Sequence, residues 1–238
     1  MSTITFLRHS IVTPLRDFIY PPVCFTCDQI LKADEKTICL RCWSSFPSVE
    51  RGHPAWDNLH LNLKAEGAIQ DFISCYLFEK EGKLQEAIHL LKYQGMRSLG
   101  FQLGKEIGRR IQTHESFSSA DCLVPVPLHK LKQRERGYNQ SELLCRGIAE
   151  TTNIPVQPSA VLRNKYTTSQ TQLNFEERKE NVSNAFEVNA KLNHVLQGKT
   201  VILVDDVVTT GSTLNALAKE LVRCGASRVL AASVALAA

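Results

Sequence analysis

Thirteen consecutive residues carry the densest chemistry in the chain: Val201-Ile202-Leu203-Val204-Asp205-Asp206-Val207-Val208-Thr209-Thr210-Gly211-Ser212-Thr213. The first four are apolar and read as a strand buried on both faces. Two carboxylates follow where such a strand opens to solvent. Thr209, Thr210, Gly211, Ser212 and Thr213 then lead into a helix. Gly211 lets the backbone turn sharply and approach a ligand closely. Free N–H groups of the loop and the helix start can cradle a phosphate, helped by the helix dipole. The four hydroxyls add donors. Carboxylates repel phosphate, so Asp205 and Asp206 must address something else. Adjacent sugar hydroxyls suit them, and the same oxygens can sit near a Mg²⁺ ion bridging the ligand's other phosphates. The competing reading is an acidic turn and a capped helix without a ligand, but helix caps rarely need so many hydroxyls in a row.

A second constellation is Cys24-x₂-Cys27 and Cys39-x₂-Cys42, two cysteine pairs separated by eleven residues. Each pair can form a tight knuckle, and two knuckles offer four thiolates in a tetrahedron. That suits a structural Zn²⁺, because no coordination position is left open. A redox pair and an iron–sulfur cluster are the alternatives. His53 and His60 lie too far from paired ligands to make a second metal site. Cys75, Cys122, Cys145 and Cys224 sit in apolar runs and read as buried thiols.

A third segment is basic. Lys130, Lys132, Arg134 and Arg136 follow the apolar run at residues 122–126 and lie before Gly137-Tyr138-Asn139-Gln140. Placed at the strand edge that carries Asp205, this segment could meet a pyrophosphate or a nucleic-acid backbone. The bland alternative is a solvated loop. Gly198-Lys199-Thr200 resembles the end of a phosphate-binding P-loop. Its required first glycine position is Asn193, however, and the triplet precedes a strand instead of following one, so a P-loop ATPase is excluded.

The elements that must position these groups alternate along the chain. Strands are expected at residues 72–78, 122–126, 156–162, 201–204 and 228–234. Helices are expected at residues 84–94, 99–111, 141–152 and 214–224, from apolar residues at three- and four-residue spacing. A short amphipathic helix is expected at residues 4–20, and a linker at residues 44–62. Residues 163–184 are polar and read as a long loop. The alternation implies an α/β fold with a parallel sheet, whose strand C-termini share one ligand-binding edge. Domain bounds follow: residues 1–62 for helix, cysteine ribbon and linker, and residues 63–238 for the α/β domain.

The 238 residues are 43% hydrophobic with a net charge of +4, which supports a sizeable core and excludes a disordered chain. No apolar stretch reaches the length of a membrane span, and Arg8, Pro14, Arg16 and Asp17 interrupt any leader-like run. A cytoplasmic protein without membrane insertion is expected.

The thirteen-residue string resembles the 5-phosphoribosyl-1-pyrophosphate (PRPP) motif of the type I phosphoribosyltransferases. Val124-Pro125-Val126-Pro127-Leu128 followed by Arg136-Gly137-Tyr138-Asn139-Gln140 is similar to the ComF family of competence-associated phosphoribosyltransferase-like proteins. Leu91-Lys92-Tyr93 fits that pattern too. So do Arg163, Thr168, Gln170, Leu173, Arg178, Asn181, Ala185 and Phe186, and the cysteine cluster. The resemblance implies a type I phosphoribosyltransferase-like domain behind a small zinc ribbon. By it, Asp205 and Asp206 hold ribose hydroxyls and are the catalytic candidates. Thr209, Thr210, Gly211, Ser212 and Thr213 bind the 5-phosphate, flanked by Val204 and Val207. Leu128, His129 and Lys130 face the pyrophosphate, with Lys132, Arg134 and Arg136 behind them. Residues 163–178, including Arg163, Gln170 and Arg178, form a lid. The implied cofactors are Zn²⁺ in the ribbon and Mg²⁺ with PRPP. The implied role is DNA uptake in natural transformation, with phosphoribosyl transfer to an acceptor that no motif specifies. The alternative is a non-catalytic protein on the same scaffold, handling single-stranded DNA or docking DNA-uptake machinery proteins, with Tyr138 as a stacking ring and with PRPP as a regulatory ligand or none.

Overall fold

A computed structural model describes residues 21–163 and 185–237. The chain divides into two compact units, Met1–Phe46 and Pro47–Ala238. In the first unit, an antiparallel bridge joins Val23 to Ile30. A single helical turn, α1 (Leu40–Trp43), follows Cys39.

The second unit is a four-stranded sheet with helices packed against it. Its elements are α2 (Pro54–Glu66), β1 (Asp71–Phe78), α3 (Lys83–Tyr93), α4 (Arg97–Gln112), α5 (Glu115–Ser118), β2 (Cys122–Pro125), α6 (Lys130–Arg136) and α7 (Gln140–Thr152). Then come β3 (Val161–Arg163), β4 (Phe186–Val188), a 3₁₀ turn at Ala190–Val195, β5 (Thr200–Val208), α8 (Ser212–Arg223) and β6 (Arg228–Ala237). The sheet order is β1-β6-β5-β2. Every pair is parallel, so all four C-terminal ends lie on one edge. β3 and β4 form a separate antiparallel ribbon that sets Arg163 opposite Phe186.

Val201, Ile202, Leu203 and Val204 are fully buried, as are Val229 to Ala232. These central strands are the continuous apolar runs expected where helices cover both faces. Leu214, Leu217, Ala218 and Leu221 of α8 pack with Leu59 and Leu63 of α2 over Val201 and Leu203. In α4, Leu99, Leu103, Ile107 and Ile111 are completely buried. Gly100, Gly104 and Gly108 recur every fourth residue on the same helix and bring α4 against α7.

The α/β alternation agrees with the expected one, and several local assignments are corrected. The expected linker at residues 44–62 contains most of α2, so the unit boundary falls after Phe46 instead of after residue 62. His53 caps this helix through its Nδ1, which accepts from Ala55 N at 3.2 Å, and Pro54 occupies the first turn. Trp56, Leu59 and Leu63 form the buried face. β5 runs four residues past Val204, so Asp205 and Asp206 are strand residues instead of turn residues. The basic run is a helix, α6, started by His129 and stopped by Gly137 in the left-handed conformation at φ 73°. The strand expected at residues 156–162 shrinks to β3, with Val156 making an isolated parallel bridge to Leu123. The helix expected at residues 4–20 lies outside the described residues. Among the described residues, no helix is long and apolar enough to cross a membrane.

Candidate ligand and metal sites

The C-terminal end of β5 opens into a hollow lined by Asp205, Val207, Val208, Thr209, Gly211, Ser212, Thr213 and Leu214. Asp205 and Val207 belong to one side of the strand by its two-residue alternation. The loop turns at Gly211, whose φ is +76°. An added Cβ there would also lie 2.6 Å from Leu63 Cδ2 and 3.0 Å from Leu59 Cδ1, both on α2. Two constraints therefore select glycine: the left-handed backbone and the helix packed against it. Thr210 Oγ1 donates to Ser212 Oγ at 3.1 Å, so two hydroxyls are held together at the start of α8. Thr209 and Thr210 are exposed. The N-terminal N–H groups of the twelve-residue α8 open here.

The two acids differ in setting. Asp205 Oδ1 accepts from Asp206 N at 2.9 Å and from Ser141 Oγ at 3.3 Å. Burial pushes the Asp205 carboxyl up to about 7. The Asp206 charge adds to this, and the Asp206 backbone N–H and Lys92 oppose it. Asp206 is 4% exposed. Its Oδ1 accepts from Val207 N at 2.9 Å. Its Oδ2 lies 2.6 Å from Lys92 Nζ, a contact that is electrostatic and not a directional hydrogen bond.

Asp205 gives a signed pH dependence. A carboxyl that is harder to ionise folded than unfolded takes up a proton on folding between its ordinary value of 3.8 and about 7. Its contribution to stability is therefore full below that window, falls as pH rises through it and stays lost above it. In the ligand-free protein, Asp205→Asn is expected to raise the unfolding midpoint at pH 8 relative to wild type by a few degrees, roughly 1–2 kcal/mol. The gap should close toward pH 4. Equal destabilisation at both pH values would contradict this account of Asp205.

β2 is paired with β5 through Pro125 and Val204, so the segment after β2 starts at the same sheet edge as Asp205. Leu128 and His129 are half-buried and Lys130 is exposed. His129 Nδ1 accepts from Leu131 N at 3.3 Å, which makes this histidine the cap of α6. On α6, Arg134 is exposed and Lys132 half-buried. Arg136 donates to Gln140 Oε1 at 2.9 Å and stacks 5.2 Å from the Tyr93 ring. Tyr138 is not a free stacking ring: it is 9% exposed, its hydroxyl donates to Leu91 O, and Arg97 covers it at 5.0 Å. Asn139 bonds Val126 O at 3.0 Å and caps α7 through Ser141 N at 3.0 Å. Much of the Arg136–Gln140 string thus fastens α6 and α7 to the sheet. Arg163 ends β3, with its guanidinium 5.4 Å from the Phe186 ring. Gln170 and Arg178 lie outside the described residues.

Along the sequence Lys92 stands only within the string Leu91-Lys92-Tyr93, which assigns it no role. Its sequence signal is a lysine in the last turn of an otherwise apolar-faced helix, which is common.

In the first unit, the sulfurs of Cys24, Cys27, Cys39 and Cys42 lie within 4.8 Å of one another. Cys27 and Cys39 Sγ are 3.7 Å apart. A tetrahedron with Zn–S bonds of about 2.3 Å has S···S edges of about 3.8 Å, so the donor set fits zinc. Backbone N–H groups support it: Cys39 N approaches Cys24 Sγ at 3.3 Å and Cys42 N approaches Cys39 Sγ at 3.5 Å. Burial pushes the Cys42 thiol up to about 12. At Cys24 burial also raises the value, but hydrogen bonds led by the Cys39 N–H outweigh it and bring the thiol down to about 7. Away from this cluster, Cys75, Cys122 and Cys145 are buried, whereas Cys224 is only partly so.

The family described as Double zinc ribbon domain matches residues 15–54, and that described as Phosphoribosyl transferase domain matches residues 156–238. Among the described residues, the ribbon match holds one set of four metal-ligating cysteines. The chain is similar to Competence protein F of Haemophilus influenzae, 30% identical over 176 residues, which is 74% of this chain and 71% of that one. It is also similar to DNA utilization protein YhgH of Escherichia coli K12, 29% identical over 218 residues and 87% of each chain. Competence protein ComFC of Bacillus subtilis is 26% identical over 208 residues, 85% of this chain and 79% of that one. With a zinc-ribbon cysteine set in its first unit and a parallel-sheet, phosphoribosyltransferase-like domain in its second, this chain belongs to the ComF family.

Proposed function

We propose that the chain binds PRPP with Mg²⁺ in the hollow at the end of β5 and acts in DNA uptake. The observation that carries this reading is the hollow itself: a carboxylate, a hydroxyl-rich turn at Gly211 and the start of α8 converge on one small space. The 5-phosphate takes the N–H groups and hydroxyls of residues 209–213, where the helix dipole favours an anion. Asp205 accepts hydrogen bonds from the ribose hydroxyls, which restores the polar surroundings its burial removes. Mg²⁺ would be carried by the ligand's phosphates and would neutralise charge on the leaving pyrophosphate. Leu128, His129 and Lys130 flank that end of the ligand. Such a site favours transfer of the phosphoribosyl group, because it stabilises both the sugar cation and the departing anion. The association with DNA uptake rests on the names of the relatives, a competence protein and a DNA utilization protein.

The test is thermal unfolding with and without millimolar PRPP and Mg²⁺. A ligand bound only by the folded state at a hundred times its Kd stabilises by about 2.7 kcal/mol. Wild type should shift up by several degrees and Asp205→Asn should not. No shift in folded wild type would remove PRPP from the reading.

One observation favours a second role on the same scaffold. Arg136 stacks on Tyr93, an exposed residue, beside the exposed Lys130 and Arg134. An exposed aromatic among cations suits single-stranded DNA. Binding that weakens steeply with salt, and that flattens in a Lys130→Ala/Arg134→Ala variant, supports it. Absence of binding at low salt removes it.

A further inference from the structure

We infer that the adjacent acids have separate tasks: Asp205 addresses the ligand, while Asp206 is an internal anion held by Lys92, which makes Lys92 a positioning residue for the site. This inference rests on the PRPP reading above. It departs from the symmetrical role that the sequence resemblance gives to the two carboxylates.

Three observations carry it. Asp205 lines the hollow and Asp206 does not. Both Asp206 oxygens already have partners, Val207 N at 2.9 Å and Lys92 Nζ at 2.6 Å. Strand alternation contributes to the division: Asp205 and Val207 share one side of β5 and Asp206 lies on the other, although the hollow at the strand's end is wide enough to take in Val208 as well.

Lys92 is anchored at the right place to serve. It sits in the last turn of α3, and Leu91, just before it, receives the Tyr138 hydroxyl through its backbone carbonyl. Tyr138 in turn stands between α6 and α7, beside Asn139, which ties the same segment to Val126 after β2. Lys92 therefore joins a chain of contacts that fixes α3 at the β2–β5 edge. Its charge cancels that of Asp206 next to a site meant for a polyanion. Without Lys92, an uncompensated carboxylate would lie one residue from the ligand hollow and would repel phosphate.

The test is a double-substitution cycle read in two ways, by Mg²⁺–PRPP affinity in calorimetry and by the unfolding midpoint. Lys92→Met is expected to weaken binding about tenfold through the uncompensated Asp206 charge. Adding Asp206→Asn should restore affinity to within about threefold of wild type, a recovery that lost packing alone would not give. Lys92→Arg should keep affinity within the same range. Asp205→Asn should lose about thirtyfold or more, with no rescue by changes at Lys92. In the unfolding arm, each single change at the pair should lower the midpoint by about 5 °C, and the double variant should recover at least half of that loss.

Asp206→Asn losing as much affinity as Asp205→Asn, or a double variant binding no better than Lys92→Met, would overturn the inference. So would strictly additive midpoint shifts. Wild type that does not bind Mg²⁺–PRPP at all would defeat the parent reading instead, and the unfolding cycle would still decide whether Lys92 and Asp206 act as a pair.

Discussion

Chelation of zinc is expected to unfold the cysteine ribbon while leaving the sheet domain folded. The described ribbon has little else to hold it: one antiparallel bridge, a single helical turn and a handful of buried apolar side chains such as Leu31 and Ile38. A segment this small cannot bury enough surface to offset its chain entropy without a metal or a crosslink. Structural zinc contributes on the order of 10–16 kcal/mol at neutral pH, all of it folding free energy where no preformed site exists. The local hydrogen bonds are arranged around the sulfurs, including Asp28 N to Cys24 O at 2.8 Å, with Asp28 itself at positive φ. Hydrogen exchange should show that amides of residues 24–42 lose protection on chelation. The unfolding midpoint of residues 47–237 should move by less than about 2 °C, since the two units are separately compact. Purified protein should release one zinc per chain. Protection that survives complete metal removal would refute the structural role. A coloured protein containing iron would replace zinc with the cluster alternative.

Substituting alanine for Gly147 is expected to cost about 3 kcal/mol. At this crossing of α4 and α7, a Cβ on Gly147 would stand 2.2 Å from Phe101 O and 2.9 Å from Gly104 Cα. A Cβ on Gly104 would stand 2.2 Å from Leu144 O. These are backbone atoms, and no rotamer change can move them, so the helices themselves must separate. Alanine gains about 1 kcal/mol over glycine in a helix, but overpacking of this kind costs more and spreads to the leucines beside it. The midpoint should fall by roughly 6–12 °C in a domain of this size. Gly108→Ala is the informative comparison. Its Cβ would meet Thr151 Oγ1, the end of a side chain that can rotate, so its cost should be clearly smaller. Equal effects at Gly108 and Gly147 would mean that the helix crossing is looser than its geometry shows.

The features legible without a structure are those written in short-range pattern. The apolar run before Asp205, the hydroxyls around Gly211 and the two cysteine pairs each declare themselves within a few residues. Their spacing already implies strand, phosphate turn and metal knuckle. Strand–helix alternation likewise implies a parallel sheet with one functional edge. Patterns of the same range also mislead. Pro47, Gly52 and Pro54 crowd the approach to α2 and imply a linker, although Pro54 sits in the first turn of the helix. The charges of the basic run imply a loop and mask a single short helix between His129 and Gly137.

The tertiary structure decided what depends on partners far apart in the chain. Lys92 and Asp206 are 114 positions apart, and nothing local marks either as the other's counter-ion. Tyr138 looks like an available ring until the fold buries it against α3. Along the sequence Gly211 serves only a turn, and the packing of Leu59 and Leu63 against it exists only once α2 is placed. The reason is the same in each case. Backbone preference and amphipathic spacing act over three or four residues, and so they can be read along the chain. Ion pairs, close helix crossings and the burial that shifts a carboxyl depend on which elements the fold brings together, and sequence-local physics does not choose among those pairings.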